Sequence, residues 1–300
     1  WTNLWLNEGF ATWMASYVMD KMFPEWDIWA QFLSDEYTDA LSLDGLRSSH
    51  PIEIPVSNPN EISQIFDDIS YSKGASVIRM IHDFLGHDAF RSGLQIYLKR
   101  HAYSNAVTED LWQALAEASK QPVQKMMDTW TKQPGYPLVQ VVKGDNNVYS
   151  LSQKRFLTSG DALTEDEAAQ KWDIPIVTEF HHETGIVERA KSMLPSDGHV
   201  RLPMNGMRLV KINSGQVALA RVNYLPEQWQ ALAEAILAGK LTPADRYGII
   251  SDALSLSRAG YMSTGQLISI VSSYKNEDNH TVWMTVLEAL ESLNAILEET

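Results

Sequence analysis

The spacing of apolar residues changes twice along this chain, and those two changes limit its architecture more than any other feature. Over residues 1–135 apolar side chains recur every three or four positions, the period of a helix that buries one face. "WTNLWLNEGFATWMASYVMDKMF", "EWDIWAQFLSDEYTDALSLDGL", "YSKGASVIRMIHDFLG", "AFRSGLQIYLKRHAYSNA" and "TEDLWQALAEASKQ" all read this way. From Tyr136 the period becomes two. "YPLVQVV", "NVYSLSQKRFL", "WDIPIVTEF", "HVRLPM", "RLVKIN" and "QVALARVNY" are short alternating or β-branched runs separated by Gly, Asn, Asp and Pro. After Tyr224 the helical period returns and runs to the end. No stretch satisfies both periods, so the chain divides into three: helices over 1–135, a small antiparallel β-sandwich over 136–224, and antiparallel helix pairs of a stacked array over 225–300.

Punctuation residues sharpen those limits. Gly86 is a helix stop, and Pro134, Gly135 and Pro137 break the first block. Thr108 is expected to cap a helix with Glu109 and Asp110 in its first turn. Thr242 and Pro243 read as N-cap and first helical residue, and Ser263 with Gln266 as a capping box. "TSGDALTEDEAAQ" is expected to be a solvated loop. In the last helix Val282, Met284, Leu287, Leu290, Leu293 and Ile296 recur at three- or four-residue spacing, which predicts an uncovered apolar face.

Composition excludes several function classes. A formal charge of −14 disfavours nucleic acid as a partner, because a polyanion would be repelled by most of the surface. No apolar run reaches the roughly 18 residues of a membrane span. There is no cysteine, so disulfides, thiolate metal ligands and thiol nucleophiles are all removed, and an intracellular, cytoplasmic setting is expected. The chain opens with Trp1 inside a helical run, so a partial sequence is expected.

Few residues remain to carry chemistry. The eight histidines include no H-E-x-x-H. His181 and His182 lie in or beside a strand and read as surface residues; His82 and His87 flank a helix end and are expected to face solvent. Asp67 and Asp68 read as loop charge or helix capping. Glu8 is the anomaly. Its helical neighbours Leu4, Trp5, Ala11, Thr12 and Ala15 form a small, apolar face, and a carboxylate there calls for a basic partner, a backbone cap or a metal ion.

"WLNEGFATW" and "ISYSKGASV" resemble the downstream active-site motifs of the M1 family of zinc aminopeptidases. "SSHPIEIPVSNPNEISQIFDDISYSKGASVIRM" and "WTKQPGYPLV" are similar to its puromycin-sensitive and fungal alanine/arginine branch, and the likeness continues more loosely beyond residue 142. The resemblance implies a multidomain α+β protein: the helical half of a gluzincin (thermolysin-like) catalytic domain, then the β-sandwich, then the start of a helical array. It implies that Glu8 is the third zinc ligand, that Tyr71 is the catalytic tyrosine, and that Phe66 lines the pocket for the substrate's first side chain. Gly74 and Ala75, on Tyr71's face, are expected to leave space for substrate. One Zn2+ per complete site is implied, with two histidine ligands and the glutamate base in an upstream H-E-x-x-H outside this chain. The G-x-M-E-N strand is likewise outside it. Peptides with a free N-terminus are the implied substrates, and the chain alone is expected to be inactive. The alternative is a metal-free peptide-binding or scaffold protein of the same architecture.

Overall fold

Trp5, Gly9 and Trp13 recur every fourth residue and form the buried stripe of the first helix, α1 (Trp5–Met22). The computed structural model, which describes residues 1–145, 148–204 and 206–298, sets that stripe against α6 (Thr108–Ser119) and α4 (Gly74–Leu85). The Trp5 ring lies 5.6 Å from that of Trp112, and its indole N–H donates to the Thr108 hydroxyl at 3.1 Å. That bond explains a correction. Thr108 is not the cap of α6 but its first helical residue, buried, with its hydroxyl also donating to Asn3 at 2.9 Å. Val107 takes the cap position, and the Asp110 carboxylate accepts its backbone N–H at 2.9 Å.

The second helical run is broken into α2 (Ile28–Phe32), a π-turn (Leu33–Tyr37) and α3 (Thr38–Asp44). The wider turn lets buried Tyr37 donate its hydroxyl to the carbonyls of Ala218 and Ala220, both at 2.9 Å, far along the chain. A second π-turn, Ile69–Lys73, leads into α4, which stops at Gly86 with φ 80° as expected. Helices α5 (His87–Arg100) and α7 (Val123–Thr131) complete the block with α6.

All strands lie between Pro137 and Asn223, among the described residues. They are β1 (Pro137–Lys143), β2 (Tyr149–Arg155), β3 (Ile174–His182), β4 (Val187–Leu194), β5 (Val200–Leu202), β6 (Met207–Ile212) and β7 (Arg221–Asn223). One sheet has the order β5-β2-β1-β7 and the other β4-β3-β6. All pairings are antiparallel except β1 with β7, which is parallel, so the expected purely antiparallel arrangement is corrected there. Strand β4 has no counterpart among the six expected runs. It forms a sheet edge, and its exposed, charged "VERAKSM" face hides the alternation. The acidic stretch is not wholly loop either: α8 (Glu165–Ala169) forms there, closed by a capping box between Thr164 and Glu167.

Helices α9 (Pro226–Leu237), α10 (Pro243–Arg258), α11 (Thr264–Ser272) and α12 (His280–Glu298) follow. Thr242 and Ser263 cap α10 and α11 as expected, each side chain accepting a backbone N–H. On α12, Val282 and Leu293 are buried while Met284, Leu287 and Leu290 stay exposed; the Ile296 side chain lies outside the described part. Among the described residues no helix is long and apolar enough to cross a membrane.

Candidate active site

Helices α1 and α4 meet at two glycines. A Cβ on Gly9 would stand 2.9 Å from the backbone carbon of Gly74, and one on Gly74 would stand 3.2 Å from the Gly9 Cα. Only hydrogen at both positions allows so close an approach. Glu8 precedes Gly9 and Tyr71 stands one turn before Gly74, so this crossing draws the two side chains together. Hydrogen bonding to the Glu8 carboxylate, with that carboxylate's charge, raises the Tyr71 phenol above its ordinary pKa. It stays protonated, a donor, throughout the neutral range.

Two expectations are corrected here. Gly74 and Ala75 leave no room beside the tyrosine: Gly74 is filled by α1, and Ala75 is fully buried. Glu8 is not trapped on a buried apolar face, because Ala11 and Ala15 are exposed and Glu8 itself is half-buried. The reason is angular. The buried stripe runs through Trp5, Gly9 and Trp13, and Glu8 lies one residue, about 100°, to its side.

The turn that carries Tyr71 is held at nearly every residue but Tyr71. Ile69, Ser70, Ser72 and Lys73 are all buried, and the tyrosine alone is half-exposed. At the front, the Asp67 carboxylate accepts the N–H groups of Ile69 and Ser70 at 3.0 and 3.3 Å, which bears out the capping reading of that residue. Its other oxygen is 2.8 Å from His50 Nε2. The hydrogen bond to Asp67 raises the His50 pKa, and despite burial the same bond leaves the Asp67 carboxyl below its ordinary range. In the middle, the Ser72 hydroxyl donates to Glu36 at 2.6 Å. At the back, Lys73 pairs with Asp44 at 2.8 Å with neither side chain exposed.

Phe66 is 44% exposed and faces Trp1, 63% exposed, at 6.2 Å between ring centroids, so it is not a core residue. A groove of about 540 Å³ runs past Trp1, Asn3 and Asn7 toward Tyr97 and His101, and neither Glu8 nor Tyr71 lines it. His82 departs from expectation: it is half-buried against Trp13 and Phe90, and burial holds its pKa below the ordinary imidazole range. His87 is exposed as expected, with its Nδ1 3.2 Å from the Tyr17 hydroxyl. His181 lies in β3 and pairs with Glu179 at 2.6 Å.

A protein zinc site takes three or four ligands. Among the described residues no group of three or more His, Asp or Glu side chains could hold a metal. Glu8 has the right donor chemistry for one ligand; the set as a whole does not fit a zinc ion without residues from elsewhere.

Sequence reasoning reached Glu8 and Tyr71 but missed Gly9, Asp44, His50 and Lys73. Two signals were available: glycines inside helical patterns at positions 9 and 74, and a lysine inside an otherwise small and apolar run.

The profile of the peptidase family M1 domain matches residues 1–130, and that of the ERAP1-like C-terminal domain matches residues 209–300. The chain is 42% identical to Aminopeptidase 2 of Candida albicans over 99% of its own length and 32% of that protein. It is 41% identical to the alanine/arginine aminopeptidase of Saccharomyces cerevisiae, over 98% of its length and 33% of the relative. With the puromycin-sensitive aminopeptidase of Caenorhabditis elegans it shares 38% identity, over 100% of its length and 32% of the relative. It thus spans about a third of the length of the relatives it matches. The two helices that cross at Gly9 and Gly74, and the side chains they bring together, lie within residues 1–130, the part of the chain that matches the peptidase family M1 domain.

Proposed function

We propose that this chain is part of a zinc aminopeptidase that removes N-terminal residues from peptides, and that Glu8 and Tyr71 belong to its active site. The single observation that carries the reading is the close crossing of α1 and α4 at Gly9 and Gly74, which brings the turn that bears Glu8 against the turn that bears Tyr71. A half-solvated carboxylate keeps lone pairs free for a cation, so Glu8 suits one place in a zinc coordination set. Zinc, when bound, supplies polarisation of the peptide carbonyl and of a water molecule. Tyr71 acts next to it as a neutral donor. A phenol's ordinary pKa of about 10 keeps the proton on oxygen at neutral pH, and on turning from Glu8 it can donate to the oxyanion that forms on the scissile carbonyl. Phe66, exposed beside Trp1, offers an apolar wall for the first side chain of the substrate.

Residues 1–135 are assigned in this reading to the helical part of the catalytic domain, 136–224 to a β-sandwich and 225–300 to the start of a helical array. A cytoplasmic setting belongs to the same reading, supported by the absence of cysteine.

The test uses the complete parent protein. Tyr71→Phe should lower kcat by about 10²–10³, the size found for single oxyanion donors, with bound zinc unchanged. Glu8→Ala should lose zinc. A Tyr71→Phe protein that loses its metal beside a Glu8→Ala protein that keeps it would contradict both roles. The 1–300 chain by itself, supplied with zinc, should not turn over an alanyl chromogenic substrate, because its described residues offer no three-ligand group.

A further inference from the structure

We infer that the buried Lys73–Asp44 ion pair is a positioning device for Tyr71, one that fixes the π-turn so that the phenol faces the reacting carbonyl. The inference rests on the role of Tyr71 proposed above. Stability alone explains the pair poorly. Both side chains are fully buried, and replacing such a pair by apolar groups of similar volume is often neutral or stabilising.

What the pair joins is more telling. Asp44 closes α3, and its Oδ1 accepts the Gly135 N–H at 2.8 Å and the Ser49 hydroxyl at 2.7 Å. Its Oδ2 takes Lys73, whose Nζ also donates to the Gly135 carbonyl at 3.3 Å. The end of α3, the turn before β1 and the π-turn are therefore locked at one point. Gly135 is a fixed anchor: its φ is 87°, and a Cβ there would stand 2.7 Å from the Arg155 side chain.

The leverage comes from spacing. Lys73 follows Tyr71 by two residues, and side chains two apart on a helical turn point to roughly opposite sides. Drawing Lys73 inward turns Tyr71 outward, toward Glu8. The π-turn needs such a hold, because this wide form is rare and occurs mostly as isolated single turns. Its own bonds, Lys73 N–H to the Asp68 carbonyl at 2.7 Å and Gly74 N–H to the Ile69 carbonyl, close only that turn. Asp67 fixes the front and the ion pair fixes the back, leaving Tyr71 as the one presented side chain.

The experiment is a double-mutant cycle in the complete parent protein. Lys73→Met with Asp44→Asn removes both charges and keeps an oxygen for Gly135 N–H and the Ser49 hydroxyl. Asp44→Asn alone is the second variant and reads the same cycle if the double change does not fold. Each is made with Tyr71 intact and with Tyr71→Phe. With Tyr71 present, kcat should fall about 10- to 100-fold with KM nearly constant, the effect of a misplaced group. With Tyr71→Phe the same changes should cost less than about twofold more, because the side chain through which they act has lost its donor. Equal losses in both backgrounds, or no loss in either, overturn the inference while leaving the role of Tyr71 intact. An unchanged kcat in Tyr71→Phe itself overturns the role of Tyr71, and the inference falls with it.

Discussion

Two of the buried ion pairs in this chain look alike and do different things. Lys73–Asp44 and Arg221–Asp252 each bring a cation and a carboxylate together almost without exposure, at 2.8 and 3.2 Å. Arg221 lies on β7, and its guanidinium also donates to the carbonyl and hydroxyl of Ser251, while Asp252 accepts the Val222 N–H at 3.0 Å. That pair ties a regular strand to the middle of the regular helix α10. Lys73–Asp44 instead ties an irregular turn to a helix end and a glycine, two residues from a half-exposed phenol. Burial and charge are the same in the two places. The difference is what stands next to them, and it teaches that a buried pair acquires a functional meaning from the element it restrains.

The comparison predicts its largest effect at the structural pair. Asp252→Ala leaves Arg221 buried without its carboxylate, and removing one partner of such a pair costs about 3–5 kcal/mol. Urea unfolding of the parent should show that loss, while the folded fraction keeps a normal kcat. A selective fall in kcat for Asp252→Ala would erase the distinction between the two pairs.

A smaller effect separates two glycine crossings. Gly9→Ala sets a methyl 2.9 Å from the Gly74 backbone, and Gly93→Ala sets one 2.7 Å from the Leu115 side chain where α5 meets α6. Each forces backbones apart, and overpacking of this kind costs about 1–3 kcal/mol. Only Gly9→Ala should also lower kcat per folded molecule, because it parts Glu8 from Tyr71. Equal activity in the two variants would show that the crossing does not set the site.

The smallest effect concerns pH at the front of the π-turn. The bond to Asp67 raises the folded-state pKa of His50 above the ordinary value of 6.5, against the opposing charge of Lys73. Its stabilisation is therefore complete below pH 6.5 and lost as pH rises through the raised value. Asp67 runs the other way: its pKa is lowered from 3.8, so its contribution is present above that pH and lost as pH falls through the folded value. Between those limits His50→Gln should cost about 1 kcal/mol, as expected for a half-buried charged hydrogen bond. The gap between wild type and variant should close at higher pH; a gap that widens there has the wrong sign for this pair.

Much of the frame was legible because it rests on periodicity. The stop at Gly86, the caps at Thr242 and Ser263 and the switch to strands after Gly135 all follow from local rules that the structure keeps. The failures have a common cause in distant partners. Thr108 leaves the cap because Trp5 needs an acceptor, and the run from Ile28 breaks at a π-turn because Tyr37 reaches Ala218 and Ala220. At the site, the motif residues Glu8 and Tyr71 could be named from sequence. Their mutual approach could not, since it depends on Gly9 meeting Gly74 across 65 residues of chain. Nor could the restraint by Asp44 and His50, whose spacing from Tyr71 carries no period.

We propose that the crossing at Gly9 and Gly74 presents Tyr71 and Glu8 to one reacting centre. A crystal structure of the complete parent protein with a phosphinic peptide, a tetrahedral mimic of the attacked carbonyl, tests it most directly. The Tyr71 hydroxyl should lie about 2.7–3.1 Å from a phosphinic oxygen, with a Glu8 oxygen on zinc at about 2.0–2.2 Å. A tyrosine still bonded to Glu8, or turned more than about 4 Å from the phosphinic oxygens while the mimic is bound, would contradict it.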